Sequence, residues 1–108
     1  MVCTTNRKEM IGIDLTKISR FDRINLDRLG NKLGHKLDSS LEAAKTWACL
    51  EAITKAEQHK ISPKNLKLVF DRNKPPVVLD PSNSLSGDYA LSLTHEDGYV
   101  VAVAFRKN

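Results

Sequence analysis

The spacing of hydrophobic residues along the 108-residue chain changes character twice. An opening run, Met10-Ile11-Gly12-Ile13-Asp14-Leu15, is short, β-branched and preceded by charged Lys8 and Glu9, which predicts a strand. Ile18 and Phe21, then Leu26, Leu29, Leu33 and Leu37, recur at helical spacings and predict a helix from about Ile18 to Leu37. Gly30 and Gly34 each weaken it by about 1 kcal/mol relative to alanine, so it can break there. Ser39-Ser40-Leu41-Glu42 has the capping-box form and starts a second helix, alanine-rich and running to about His59. Pro63 ends that stretch by holding the residue before it extended. The last third then turns to strand chemistry: Leu66 to Phe70, Pro76 to Leu79, Tyr89 to Thr94 and Tyr99 to Phe105. Two prolines make the second of these an edge strand, and Gly98 in the His95-Glu96-Asp97-Gly98 hairpin loop sits where a positive φ is needed.

The order β-α-α-β-β-β-β predicts an α+β fold, two helices packed on a mostly antiparallel sheet, as one domain over residues 1–108. No repeat, low-complexity stretch or linker divides the chain. Composition narrows the class. With 41% hydrophobic and 28% charged residues, the chain is neither disordered nor membrane-spanning in character. The first ten residues lack the apolar core of a signal peptide, and Cys3 and Cys49 alone supply neither a disulfide framework nor a zinc knuckle. The expectation is a cytoplasmic protein that gains core by forming homo-oligomers, since small domains bury a modest share of their surface. Lys and Arg exceed Asp and Glu, 17 − 13 = +4, and the excess is concentrated. From Lys17 to Lys36 six cations (Lys17, Arg20, Arg23, Arg28, Lys32, Lys36) face Asp22 and Asp27, 6 − 2 = +4. Such a segment either suits an acidic partner or is a solvated face.

One carboxylate stands out. With about 100° per residue and Trp47 at zero, Glu51 falls at about 40°, Ala44 at about 60° and Ala48 at about 100°, inside an apolar arc. A buried carboxylate needs a cation, and both Lys55, one turn on, and a metal ion are candidates. Asp14, at the end of the first strand, is an acid on a rigid support or else the cap of the following helix. His95 ends a later strand and is a ligand or an ordinary hydrogen-bonded residue. Two acids and a histidine could form a hard-metal site, because Mg²⁺ takes one or two carboxylates together with phosphate oxygens.

These segments, in this order, resemble the holo-acyl-carrier-protein synthase family, the small 4′-phosphopantetheinyl transferases. Ile11-Gly12-Ile13-Asp14-Leu15 followed by Ile18-Ser19-Arg20-Phe21 resembles the family's opening glycine-x-aspartate strand and helix. Trp47 through Glu51-Ala52 to Lys55 is similar to its aromatic, Lys-Glu-Ala, lysine helix. Ser92-Leu93-Thr94-His95 and Val100 to Ala104 are similar to its serine-x-serine/threonine-histidine strand and the small, valine-rich strand that follows. Asn73-Lys74-Pro75 falls where the family has a Gly-Lys-Pro turn. The resemblance spans Ile11 to Phe105 and implies an α+β fold, a trimer with its active site at a subunit interface, and a known reaction. Phosphopantetheine moves from coenzyme A to a serine of an apo acyl carrier protein, in connection with fatty acid biosynthesis, releasing adenosine 3′,5′-bisphosphate.

By the same resemblance Asp14 and Glu51 would hold Mg²⁺, and Glu51 would accept the serine proton directly or through water. Lys55 would contact phosphate, and His95 with Thr94 would hold the nucleotide end from across the interface. Arg20, Arg23 and Arg28 would meet the acidic carrier. The chain departs from the family at Leu50, in place of the lysine of Lys-Glu-Ala, and at Lys17, where an acid is common. Gln58-His59-Lys60 replaces a glycine-rich stretch, and the family's threonine-x-x-glutamate segment between the helices is missing. The substitutions at Lys17 and Leu50 motivate an alternative, a catalytically weakened member that binds carrier protein or coenzyme A as a partner subunit. A small RNA-binding domain is a third reading, but the six aromatics follow no base-stacking pattern, so no nucleic-acid partner is expected, and no membrane.

Overall fold

The computed structural model describes residues 10–107; Cys3 and the rest of the N-terminal segment lie outside the described residues. Strand β1, Ile11–Lys17, leads through a 3₁₀ turn, Ile18–Phe21, to α1, Leu26–Leu33, and α2, Ser40–Glu57. After a second 3₁₀ turn, Pro63–Asn65, come β2, Lys67–Val69, β3, Val77–Leu79, β4, Tyr89–Glu96, and β5, Tyr99–Arg106. The expected single sheet is two, both antiparallel: a three-stranded sheet ordered β1-β5-β4 and a β2-β3 pair. Among the described residues no helix is long and apolar enough to cross a membrane.

The expected first helix is shorter than its hydrophobic spacing suggests. Asn25 caps α1, its side chain accepting from the Arg28 amide at 3.1 Å, and this local turn cuts the helix off from Ile18–Phe21. Gly34, at φ 76°, closes it in the left-handed region. The second helix starts as expected, with Ser39 Oγ accepting from the Glu42 amide at 3.1 Å. Glu42, however, reaches back to the amide of Asp38 rather than that of Ser39. It stops at Glu57, ahead of Pro63, because Gln58 adopts φ 64° and donates its amide to the Thr54 carbonyl at 3.0 Å. The glycine-rich stretch that Gln58-His59-Lys60 replaces is thus represented by one left-handed glutamine. The β4–β5 hairpin turns on Asp97 and Gly98, at φ 53° and 82°, which leaves His95 inside β4 rather than at its end.

β1 alternates strictly: Gly12, Asp14 and Thr16 face α2, and Ile11, Ile13 and Leu15 face out. The inner face of the sheet meets α2 through Ala102, Ala104, Val100 and Leu91, against Ala48, Cys49, Ala52, Ile53 and Ala56. Gly12 explains how closely the layers approach. A β-carbon built there would lie 1.8 Å from the Ala52 carbonyl oxygen and 2.7 Å from the Ala56 nitrogen, so only glycine fits. The small side chains of α2 and Gly12 together bring the strand's next inward residue, Asp14, hard against the helix.

Candidate active site

Asp14 is buried between β1 and α2, and both of its oxygens are engaged. Oδ1 accepts from Lys55 Nζ at 3.0 Å, and Oδ2 accepts from the hydroxyl of buried Thr16, its neighbour on the same strand face. Lys55 Nζ also donates to the Ile13 carbonyl at 3.2 Å. Two alternatives read from the sequence fail here. Asp14 does not cap the following helix, whose first turn has no side-chain cap. Lys55 does not pair with Glu51 but crosses to the strand, because alternation on β1 aims Asp14 at the last turns of α2.

Glu51 is half-buried and, among the described residues, has no ion-pair partner. It lines an apolar cavity of about 540 Å³ with Trp47, Leu50, Phe21, Ile24 and Leu33, rimmed by Arg20, Lys32 and Lys60. Leu50 shares a cavity wall with Glu51, although at about 300° on the same wheel it should point away; α2 is buried on nearly every side, and a wheel cannot rank faces of such a helix. Trp47 packs on Phe21 with centroids 6.1 Å apart, and the guanidinium of Arg20 lies 4.7 Å from the tryptophan ring. Arg20 is thus held beside Glu51's cavity; it, Arg23 and Arg28 are all exposed. Lys17 is exposed on the outer sheet face, opposite to Asp14, so the two do not share a site.

The structure brings Asp14 and Lys55 together and keeps His95 and Thr94 apart from them within the protomer. Register aligns Thr16 with Val100 and Val100 with His95, two strand spacings away, roughly 10 Å. His95 lines a different cavity, of about 620 Å³, with Lys45, Phe70, Arg72, Asn73, Lys74 and Pro75. Asn73 there has φ 67°, which is the conformation a glycine in that turn would supply. Thr94 pairs with Val101 on the outer face.

The buried acid that sequence reasoning missed is Glu57. Its Oε2 accepts from Ser86 Oγ at 2.6 Å, the Ser86 amide at 3.0 Å and Tyr89 OH at 2.6 Å, and Oε1 lies 3.3 Å from His59 Nε2. Burial raises its pKa, but these donors outweigh burial and hold it below the ordinary value of 4.5. The nearby carboxylate raises the Tyr89 phenol in addition to burial. Cys49 is buried in the α2 core, where desolvation pushes its thiol up to about 12 and leaves it inert.

This arrangement, an acid-bearing strand laid on an alanine-rich helix with a separate hairpin histidine, belongs to a known architecture. The fold is that of the holo-[acyl-carrier-protein] synthases. The synthase of Helicobacter pylori, in complex with coenzyme A, superposes with a TM-score of 0.71 over 88% of this chain and 97% of its own, at 24% identity. That of Bacillus anthracis, in complex with CoA (3′,5′-ADP), gives 0.73 over 90% and 95% at 20% identity. That of Neisseria meningitidis gives 0.73 over 91% and 97% at 21% identity. No family model and no curated protein sequence matches the chain. The α+β expectation and the family resemblance are borne out at the level of the fold.

Proposed function

We propose that this protein is a 4′-phosphopantetheinyl transferase of the holo-acyl-carrier-protein synthase type. It would move phosphopantetheine from coenzyme A to a serine of an apo acyl carrier protein. The observation that carries this reading is Asp14, aimed by β1 at α2 and paired with Lys55 one turn beyond Glu51, in a fold shared with synthases crystallised with coenzyme A.

In this reading the serine hydroxyl attacks the phosphorus that carries the pantetheine arm, and the bond to adenosine 3′,5′-bisphosphate breaks. Glu51 accepts the serine proton; a half-buried carboxylate without a counter-cation is free to do so. Lys55 meets the charge on the phosphoryl oxygens. Two carboxylates are hard oxygen donors and fit Mg²⁺, so Asp14 and Glu51 would hold it, with substrate phosphate completing its shell. When bound, the ion supplies charge neutralisation at the phosphoryl group. Arg20, Arg23 and Arg28 would receive the acidic carrier protein, Arg20 with its guanidinium already ordered on Trp47.

His95, Thr94 and Lys74 would hold the nucleotide end from a neighbouring copy. Two observations support a shared site: within one protomer His95 and Glu51 line separate cavities, and the outer sheet face is apolar. Ile11, Ile13, Leu15 and Phe105 are exposed there, with half-buried Val101 and Val103 between them. A contiguous patch of this kind calls for a partner, and a second copy of this chain, in a trimer, is the occupant this reading assigns. The partner-subunit alternative has less support, since Lys17, which helped to motivate it, lies on the sheet face opposite to Asp14.

The test is direct. Incubated with coenzyme A, Mg²⁺ and apo acyl carrier proteins, the protein should add the mass of one phosphopantetheine to a carrier. Glu51→Ala should slow the transfer by at least about a hundredfold, the scale of general-base loss. Transfer unaffected by Glu51→Ala would remove Glu51 from the mechanism, and carrier binding without any mass gain would favour the partner-subunit reading.

A further inference from the structure

We propose that Lys55 is a built-in counter-cation that keeps a divalent ion off Asp14 until the diphosphate of a coenzyme A donor draws the ammonium away. The inference rests on the phosphopantetheinyl-transfer reading above and adds an order of events to it.

Three observations lead there. Both Asp14 oxygens are occupied, Oδ1 by Lys55 Nζ at 3.0 Å and Oδ2 by Thr16, and the side chain is only 10% exposed. A cation reaching Asp14 must therefore share a nearly buried carboxylate with the Lys55 ammonium, whose charge repels it. The two donors are unequal. Thr16 is buried and fixed by the β1–β5 ladder, whereas the Lys55 side chain is 51% exposed on a flexible four-carbon stem near the end of α2. Lys55 is the one that can move. The third observation is the position of Glu51, one turn earlier on the same helix and without an ion-pair partner among the described residues. A dication held by both carboxylates would lie close to the ammonium in its present place, and like charges at that range repel strongly.

A diphosphate resolves the conflict because it offers Lys55 a new, more highly charged partner as it brings oxygen ligands for the metal. Because the Lys55 half of the pair is open to water, its ammonium stays solvated through the exchange, and moving it to phosphate is cheap. Metal and donor would then bind with positive coupling, each raising the affinity for the other by the same factor. Without the donor, the pocket would stay closed to stray divalent ions. Thr16 acts in this scheme as a positioning residue, keeping the carboxylate in one orientation through the exchange.

Titration with Mn²⁺, read as free-ion loss by electron paramagnetic resonance, tests this without any turnover. The wild-type protein should take up Mn²⁺ weakly alone and at least about tenfold more tightly with coenzyme A present, the scale expected when a single exposed ion pair and its repulsion are relieved. Lys55→Met should bind Mn²⁺ alone about tenfold more tightly than wild type, and Lys55→Arg, which keeps the cation, should not. If Lys55→Met melts early, Lys55→Gln removes the same charge and replaces it in the comparison. Wild-type binding with coenzyme A but no gain in the neutral variants overturns the counter-cation role and leaves the transfer reading standing. No Mn²⁺ uptake by any variant, with or without coenzyme A, overturns both.

Discussion

Glu51 and Glu57 lie six residues apart on α2 and have opposite surroundings. Glu51 faces an apolar cavity and has no ion-pair partner among the described residues; Glu57 is sealed in a cage of donors from Ser86, Tyr89 and His59 and ties the end of α2 to the loop before β4. The folded pKa of Glu57 is depressed, so its contribution to stability is complete above the unfolded value of 4.5 and is lost as pH falls through the folded value. Glu57→Gln should therefore shrink the acid limb of the stability profile below about pH 4.5. At neutral pH it should cost about 2 kcal/mol, roughly 10 °C of melting temperature. Thermal melts across pH check both. Asp80, also held down by donors despite its burial, keeps part of the acid limb in the variant. An unchanged acid limb would show that Glu57 is not its source. The two glutamates were not equally legible. Glu51 stood out because its anomaly is local, an acid among alanines one turn from a tryptophan. Glu57 gave no such signal, because Ser86 and Tyr89 are about thirty positions away in the chain and only folding brings them near.

At the scale of elements, the site exists because β1 can lie unusually close to α2. Gly12→Ala would drive a methyl group into backbone atoms of Ala52 and Ala56, which cannot swing aside as a side chain can. A loss of about 3 kcal/mol or more is expected, read from the midpoint of urea unfolding, with an accompanying shift of Asp14 away from Lys55. A loss under about 0.5 kcal/mol, the level of an ordinary surface change, would mean the layers are not locked as described. Element identity was well announced: alternation in β1, the serine cap of α2 and the glycine of the last hairpin all act locally, and each falls where expected. Boundaries were less legible. Asn25 and Gln58 decide where α1 begins and α2 ends, and neither is the residue a hydrophobic pattern marks. The separation of β2 and β3 into their own pair was illegible too, since strand pairing is a long-range choice.

On the scale of the molecule, Glu51 and His95 line separate cavities, and the three-stranded sheet turns an apolar face outward. Under the proposed transfer reading, a monomer so built would hold the two halves of its site too far apart to act on one diphosphate. In that reading, association through the exposed face would let Asp14, Glu51 and Lys55 of one subunit work with His95 and Thr94 of the next. It would also bury Ile13 and Leu15, among the most exposed large hydrophobic residues described. Resemblance to a family announced each residue of this set and put His95 and Thr94 across an interface. What the sequence could not show is the strand register that holds them apart from Asp14 within one protomer, since strand pairing is long-range. The measurement that bears most directly on the whole account is a crystal structure grown with coenzyme A and Mg²⁺. The account predicts one cation touching both Asp14 and Glu51, Lys55 moved from Asp14 to a phosphate, and His95 of a neighbouring subunit against the nucleotide. A diphosphate bound elsewhere, or a cation that never reaches Asp14, would contradict it.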